Sequence, residues 1–211
     1  VNFASINKEP LNKNKNKIHQ PITKSAEERT SEAKRLTFGA EWGYICTFFG
    51  GYHNNFYSPD GWRVDENEFG GVFYNNVEVY IHIGYNFGEK WNLSLYTGYA
   101  GVQDRLHCIP FSIRGTRFFN ADCKGDRWFS FIDLGSGIGI KKRPQEILTG
   151  KVGGGYRISL SERTKLDFLA SLRATYSHMD IIFGNTEISH DRINRNNAYG
   201  CSVSLGVSLS F

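Results

Sequence analysis

From residue 36 to residue 211 the chain alternates apolar with small or polar residues at a period of two, segment after segment. That period puts each side-chain class on one face of an extended strand, and it excludes a helical reading of the same stretches. The final twelve residues show it most cleanly. Cys201, Val203, Leu205, Val207, Leu209 and Phe211 share one face, and Ser202, Ser204, Gly206, Ser208 and Ser210 share the other. The same alternation recurs upstream: in Leu36, Phe38, Ala40, Trp42, Tyr44, Cys46 and Phe48; in Val77, Val79, Ile81, Ile83 and Tyr85; and in Leu166, Phe168, Ala170, Leu172, Ala174 and Tyr176. The pattern predicts eight strands, over residues 36–51, 72–87, 91–101, 106–119, 128–141, 148–160, 165–178 and 198–211.

A soluble sandwich would bury one face of each strand. Three features favour a membrane instead. Aromatic residues make up 15% of the chain, and there are 23 glycines, a composition suited to a barrel with interfacial girdles. The mean hydropathy of −0.41 fits, because only half of each strand would meet lipid. No run approaches the ~18 apolar residues of a spanning helix. The connections also differ in length. Those after the second and sixth strands are tight, at residues 86–90 and 161–163, while residues 53–70 and 179–197 are long and polar. Short periplasmic turns alternating with longer outer loops are the outer-membrane pattern, and an even strand number puts both termini on the periplasmic side. Residues 102–105 are short for an outer loop, and residues 120–126 are long for a periplasmic turn. Residues 1–34 differ in kind: polar, charged and too poor in apolar groups to offset ordering entropy. They read as a flexible periplasmic tail, with a short helix over residues 26–34 suggested by the capping pair Ser25 and Glu28.

The closing Val203-Ser-Leu-Gly-Val-Ser-Leu-Ser-Phe211, the segment Ile109-Pro-Phe-Ser-Ile113 and the segment Ile132-Asp-Leu-Gly-Ser-Gly-Ile-Gly-Ile140 carry a resemblance to the small eight-stranded outer-membrane barrels, the OmpA-barrel-like and PorT-like proteins. The resemblance implies an all-β, eight-stranded antiparallel up-and-down transmembrane β-barrel over residues 35–211, seated in outer-membrane lipid. It also implies that Val207, Leu209 and Phe211 form the signal read by the barrel-insertion machinery during assembly. It does not name a function, since this fold hosts adhesins, enzymes, assembly partners and passive scaffolds.

If the apolar faces meet lipid, the opposite faces line a lumen. They carry Glu41, Glu78, His82, Arg114, Asp133, Lys151, Arg157, Asp167 and Arg173, four carboxylates against four fixed cations. A lipid-facing Arg or Lys at the midplane costs ~2–4 kcal/mol, so charges are expected on the inner face. An eight-stranded barrel is just wide enough for side chains to fill, so Arg114, Arg157 and Arg173 are expected to pair with Glu41, Glu78, Asp133 or Asp167 and plug it. A gated narrow pore or a ligand pocket at His82 is the alternative.

Catalytic and metal sites find little support. Ser177 and His178 are adjacent, so on a strand they point to opposite faces. Ser189, His190 and Asp191 are consecutive, and a triad needs partners that converge in space. Residues 135–139 and 153–155 are glycine-rich but lack the Lys-Ser/Thr and following helix of a phosphate loop; small residues are expected where bulky lumen side chains cross. The four cysteines, Cys46, Cys108, Cys123 and Cys201, show no metal spacing. Cys46 and Cys201 fall near the barrel seam and are expected to be free thiols, a cross-strand staple being the alternative. No cofactor is expected, and the net charge of +4 is too mild to argue for nucleic acid. In the first long loop Phe56, Tyr57, Trp62 and Phe69 either meet a partner or fold back over the barrel. The expectation is a non-enzymatic structural or interaction protein, a subunit beside other outer-membrane proteins, with a lipid A-modifying enzyme or a narrow pore as rivals.

Overall fold

The computed structural model describes residues 35–103, 106–119, 125–140, 145–178, 180–184 and 186–211. The expected tail over residues 1–34, its helix and Cys123 lie outside these.

Eight long strands close into one antiparallel barrel: β1 (Leu36–Tyr57), β2 (Arg63–Phe87), β3 (Trp91–Gln103), β4 (Leu106–Phe118), β5 (Arg127–Gly139), β6 (Glu146–Ser159), β7 (Lys165–His178) and β10 (Ile193–Ser210). A two-residue pair, β8 (Ile182–Phe183) with β9 (Thr186–Glu187), lies in the connection between β7 and β10. Each strand pairs with its sequence neighbour, and β1 pairs with β10 to close the ring. At the closure Phe38 and Phe211 exchange backbone hydrogen bonds, at 3.3 and 2.8 Å, and their rings stack at 5.6 Å.

The usual hydrophobic distribution is inverted. Trp42, Ile81, Leu95, Ile113, Leu134, Leu172 and Leu205 lie exposed on the outer wall, and Glu41, Glu78, Arg114, Asp133, Lys151 and Arg173 are buried inside. An outer band of aliphatic side chains would be unstable in water and is matched to acyl chains. Apolar residues also occupy parts of the interior. Phe118, Phe129, Phe131 and Leu169 form a cluster at one end, and Tyr80, Tyr96, Ala100, Val102, Leu106, Cys108 and Ile147 form another towards the opposite end. Two glycines of β6 make room for the first cluster. A Cβ at Gly153 would lie 2.9 Å from Cζ of Phe131, and one at Gly155 would lie 2.5 Å from Cζ of Phe129.

The strands are unequal. β3, β4 and β5 have 13 residues each, whereas β1 has 22, β2 has 25 and β10 has 18. This corrects the expected loop over residues 53–70. β1 runs on to Tyr57 and β2 restarts at Arg63, with only a tight turn between. Ser58 N–H donates to the Trp62 carbonyl at 2.8 Å, and Gly61 takes φ of 86°. The hydrophobic alternation fades there because polar residues occupy both faces of most of the extension. The Pro59-Asp60-Gly61 turn signal remained readable. The long connection after β7 is likewise part structure: it holds the β8–β9 pair and a 3₁₀ turn at His190–Arg192, and β10 already begins at Ile193.

Candidate functional site

The lumen charges assemble into three groups, passing from the Gly101 end of the barrel to the Phe211 end. In the first, Glu78 on β2 meets Lys151 on β6 at 2.7 Å. These strands stand four places apart in a ring of eight, so the pair spans the full diameter. Arg173 Nη1 stands 3.6 Å from the same carboxylate and donates to the Gly101 carbonyl at 3.1 Å. Ser204 donates to the other carboxylate oxygen at 2.7 Å, and the Tyr80 hydroxyl donates to Glu78 at 3.2 Å.

In the second group Arg114 on β4 makes a two-pronged bond to Glu41 on β1, at 2.5 and 3.0 Å, and its Nε donates to Asp133 on β5 at 2.9 Å. The guanidinium lies between the rings of Tyr96 and Phe131, 4.0 and 4.4 Å from their centroids. In the third, Arg157 binds Asp167 through Nε and Nη2 at 2.6 and 2.7 Å. His82 stacks on Tyr96 at 4.7 Å and meets Ser210 Oγ at 3.4 Å. Together Glu41, His82, Asn92, Arg157 and Asp167 help line a cavity of about 30 Å³, the room of one or two waters.

All nine charged or titratable lumen residues read from the sequence thus point inward, and eight of them join ion pairs. Four carboxylates and four cations balance over the whole, though not group by group: the first has two cations for Glu78, the second two carboxylates for Arg114. The aromatic residues that fill space around them, Tyr80, Tyr96, Phe118, Phe129 and Phe131, were missed by the outward-face reading. For Tyr80, Phe118, Phe129 and Phe131 parity carried the signal, since each lies an even number of residues from a lumen charge on its own strand; β3, which holds Tyr96, has no such charge.

The barrel mouth at the tall β1–β2–β10 side is separate. Phe56 is only 2% exposed and packs with Ile181, Ile188, Val64 and Ile193. Of the two expectations for this loop, partner contact or folding back, Phe56 follows the second. Arg192 ties the β7–β10 connection beneath the tip by donating to the carbonyls of Ser58 and Pro59, 3.2 Å each. Trp62 and Phe69 are 74% and 69% exposed, and Tyr57 is exposed beside them. Ser189 turns its hydroxyl to Asp191 rather than forming a nucleophile with His190, and that bond holds the Asp191 carboxyl below its ordinary range. Among the described residues no group of His, Cys, Asp and Glu is arranged to hold a metal. Val207, Leu209 and Phe211 lie on the outward face of β10. Cys46 and Cys201 are free: Cys46 faces Val203, and the irregularity at Phe48 sets Cys201 opposite Phe49.

No protein-family model and no curated protein matches the sequence. Solved structures do. The outer membrane protein OprG of Pseudomonas aeruginosa aligns with a TM-score of 0.52 and 9% identity, over 86% of this chain and 98% of that one. The N-terminal β-barrel domain of OprF from the same organism aligns at 15% identity over 82% and 99% of the two chains, with a TM-score of 0.41. Neisserial surface protein A aligns at 14% identity over 83% and 97%, with a TM-score of 0.42. At such identities the likeness speaks to fold alone. Joined to the closed ring and its inverted faces, the OprG alignment gives the chain the architecture of a small eight-stranded outer-membrane β-barrel.

Proposed function

We propose that the protein is a plugged, non-enzymatic outer-membrane barrel with a structural or protein-interaction role, seated beside other outer-membrane proteins, and with its tall β1–β2–β10 side facing outward. One observation carries the reading: Glu78 and Lys151 meet at 2.7 Å from opposite walls. Side chains that join hands across the diameter leave no water path at that level. The Arg114 group and the two apolar clusters repeat the blockade on either side. A closed lumen shifts function to the surfaces that remain, the lipid-facing wall and the projecting strands. The outward reading of Val207, Leu209 and Phe211 as an assembly signal belongs to the same proposal. Planar-bilayer recording of the purified protein tests it. The expected result is no stable, large conductance; a steady open level in most insertions overturns the plugged reading.

A further inference from the structure

β2 pairs with β1 along nearly its whole length, but with β3 only from Glu78 to Phe87. β3 runs only three residues further, to Gln103, without pairing to β2 there. Among the described residues no strand pairs with the outer side of Val64–Phe73, so this stretch presents a ladder of free N–H and C=O groups roughly 30 Å long. Exposed edges of this kind are normally blunted by charged side chains, Lys above all, by Pro or by a bulge. Residues 64–73 hold no Lys and no Pro; their charges are the carboxylates of Asp65, Glu66 and Glu68, and the one irregularity, opposite Phe48, falls at the lower end, at Val72–Phe73. At Gly70 and Gly71, whose Cβ positions would meet nothing within 4 Å, the strand is bare on both faces. An open groove of about 430 Å³ lies over the face of the same sheet, bordered by Gly50 and Tyr52 of β1, Glu68, Gly70 and Tyr74 of β2, and Ala198 of β10.

We propose that this edge receives an extended segment of a partner protein outside the cell, which adds to β2 as a further strand and carries Lys or Arg at alternate positions. The assignment rests on the outward-facing reading above. Strand addition takes its affinity from main-chain hydrogen bonds and its specificity from the alternate side chains of the added strand. Charge selects the partner. Residues 60–73 carry Asp60, Asp65, Glu66 and Glu68 against the lone Arg63. Glu66 and Glu68 are two apart and so share a face; Glu68 accepts from the Tyr52 hydroxyl at 2.9 Å, and a basic residue on the incoming strand would meet the two carboxylates there. A neutral or acidic strand would leave them facing apolar groups or like charge.

A second copy of this chain fits poorly. Two identical edges pair antiparallel about an axis normal to the sheet. In a barrel wall that axis lies in the membrane plane, and it would turn one copy upside down. Parallel pairing needs an axis along the strand, which tilts ~35–45° from the membrane normal.

Full-length protein in detergent micelles, titrated with fluorescent ten-residue peptides of alternating Val and Thr, tests the proposal. One peptide carries Lys at two positions on one face, a second carries Glu there, and a third is the Lys peptide N-methylated at alternate amides. The expected order is at least tenfold tighter binding of the Lys peptide than of either other. The charge-reversed variant Glu66→Lys/Glu68→Lys is expected to invert the preference towards the Glu peptide while keeping the same barrel thermal transition. Equal binding of the N-methylated peptide overturns strand addition. Absence of binding by any peptide, or a dimer that dissolves on charge reversal in place of peptide binding, overturns the assignment of a partner strand. Binding in micelles reads the edge alone, so a failure of the outward orientation would appear separately, in labelling of intact cells.

Discussion

Glu78 balances two cations, whereas Lys151 answers to one carboxylate that Arg173 also approaches. That asymmetry predicts unequal costs. Glu78→Gln strands both Lys151 and Arg173 in a dry interior and is expected to destabilise the barrel by about 3–5 kcal/mol. Lys151→Met leaves Glu78 with Arg173, Ser204 and Tyr80, and is expected to cost less, about 1–3 kcal/mol. Urea unfolding midpoints of the two variants in one lipid system check the order; equal costs would mean that Arg173 does not share the carboxylate. At this scale much is legible in the sequence. Parity alone put Glu78, Arg114 and Arg173 inside, because a membrane forbids them the other face. The specific pairing was not legible. Which carboxylate meets which cation depends on the stagger of strands around the ring, and sequence alternation is silent on stagger.

The projecting β1–β2 hairpin separates two kinds of aromatic residue that looked alike in the sequence. Phe56 is enclosed by Ile181, Ile188, Val64 and Ile193, while Trp62 at the turn stands in solvent. Phe56→Ala is therefore expected to cost about 3–5 kcal/mol of local stability and to release the β7–β10 connection, speeding tryptic cleavage at Arg192. Trp62→Ala is expected to change stability by no more than ~0.5 kcal/mol. Cleavage time courses of the folded variants distinguish the two; slow, wild-type cleavage of Phe56→Ala would show that Arg192 and its carbonyl partners hold the connection unaided. The strands within the membrane were readable because one face had to be apolar throughout. The extension above it was not, since Tyr52, Asn54, Glu66 and Glu68 on one face and His53, Asn55, Asp65 and Asn67 on the other are equally polar. Where neither face is selected for lipid, period two disappears and strand and loop look the same, save for the turn at Pro59-Asp60-Gly61.

For the whole molecule the open question is direction, and the two ends of the barrel differ enough to argue it. One end holds the tight connections after Phe87 and Ser159. The other holds the tall hairpin tip and the long β7–β10 connection, with Asp60, Arg63, Asp65 and Glu66 all exposed. Insertion must carry one end across the bilayer core, and short turns remain at the periplasmic side in barrels of this class. The tall end is therefore expected outside, and the Leu36 and Ser210 ends of the wall inside. In a variant with the four native cysteines replaced, Trp62→Cys places a thiol at the exposed tip, and Glu162→Cys places one in the tight turn after β6. A membrane-impermeant maleimide applied to intact cells is expected to label position 62 and to reach position 162 only after the outer membrane is permeabilised. The opposite order would reverse the barrel in the membrane and take the free β2 edge into the periplasm. Any strand added there would then come from a periplasmic partner, although the plugged lumen and the ion pairs that close it would be unchanged.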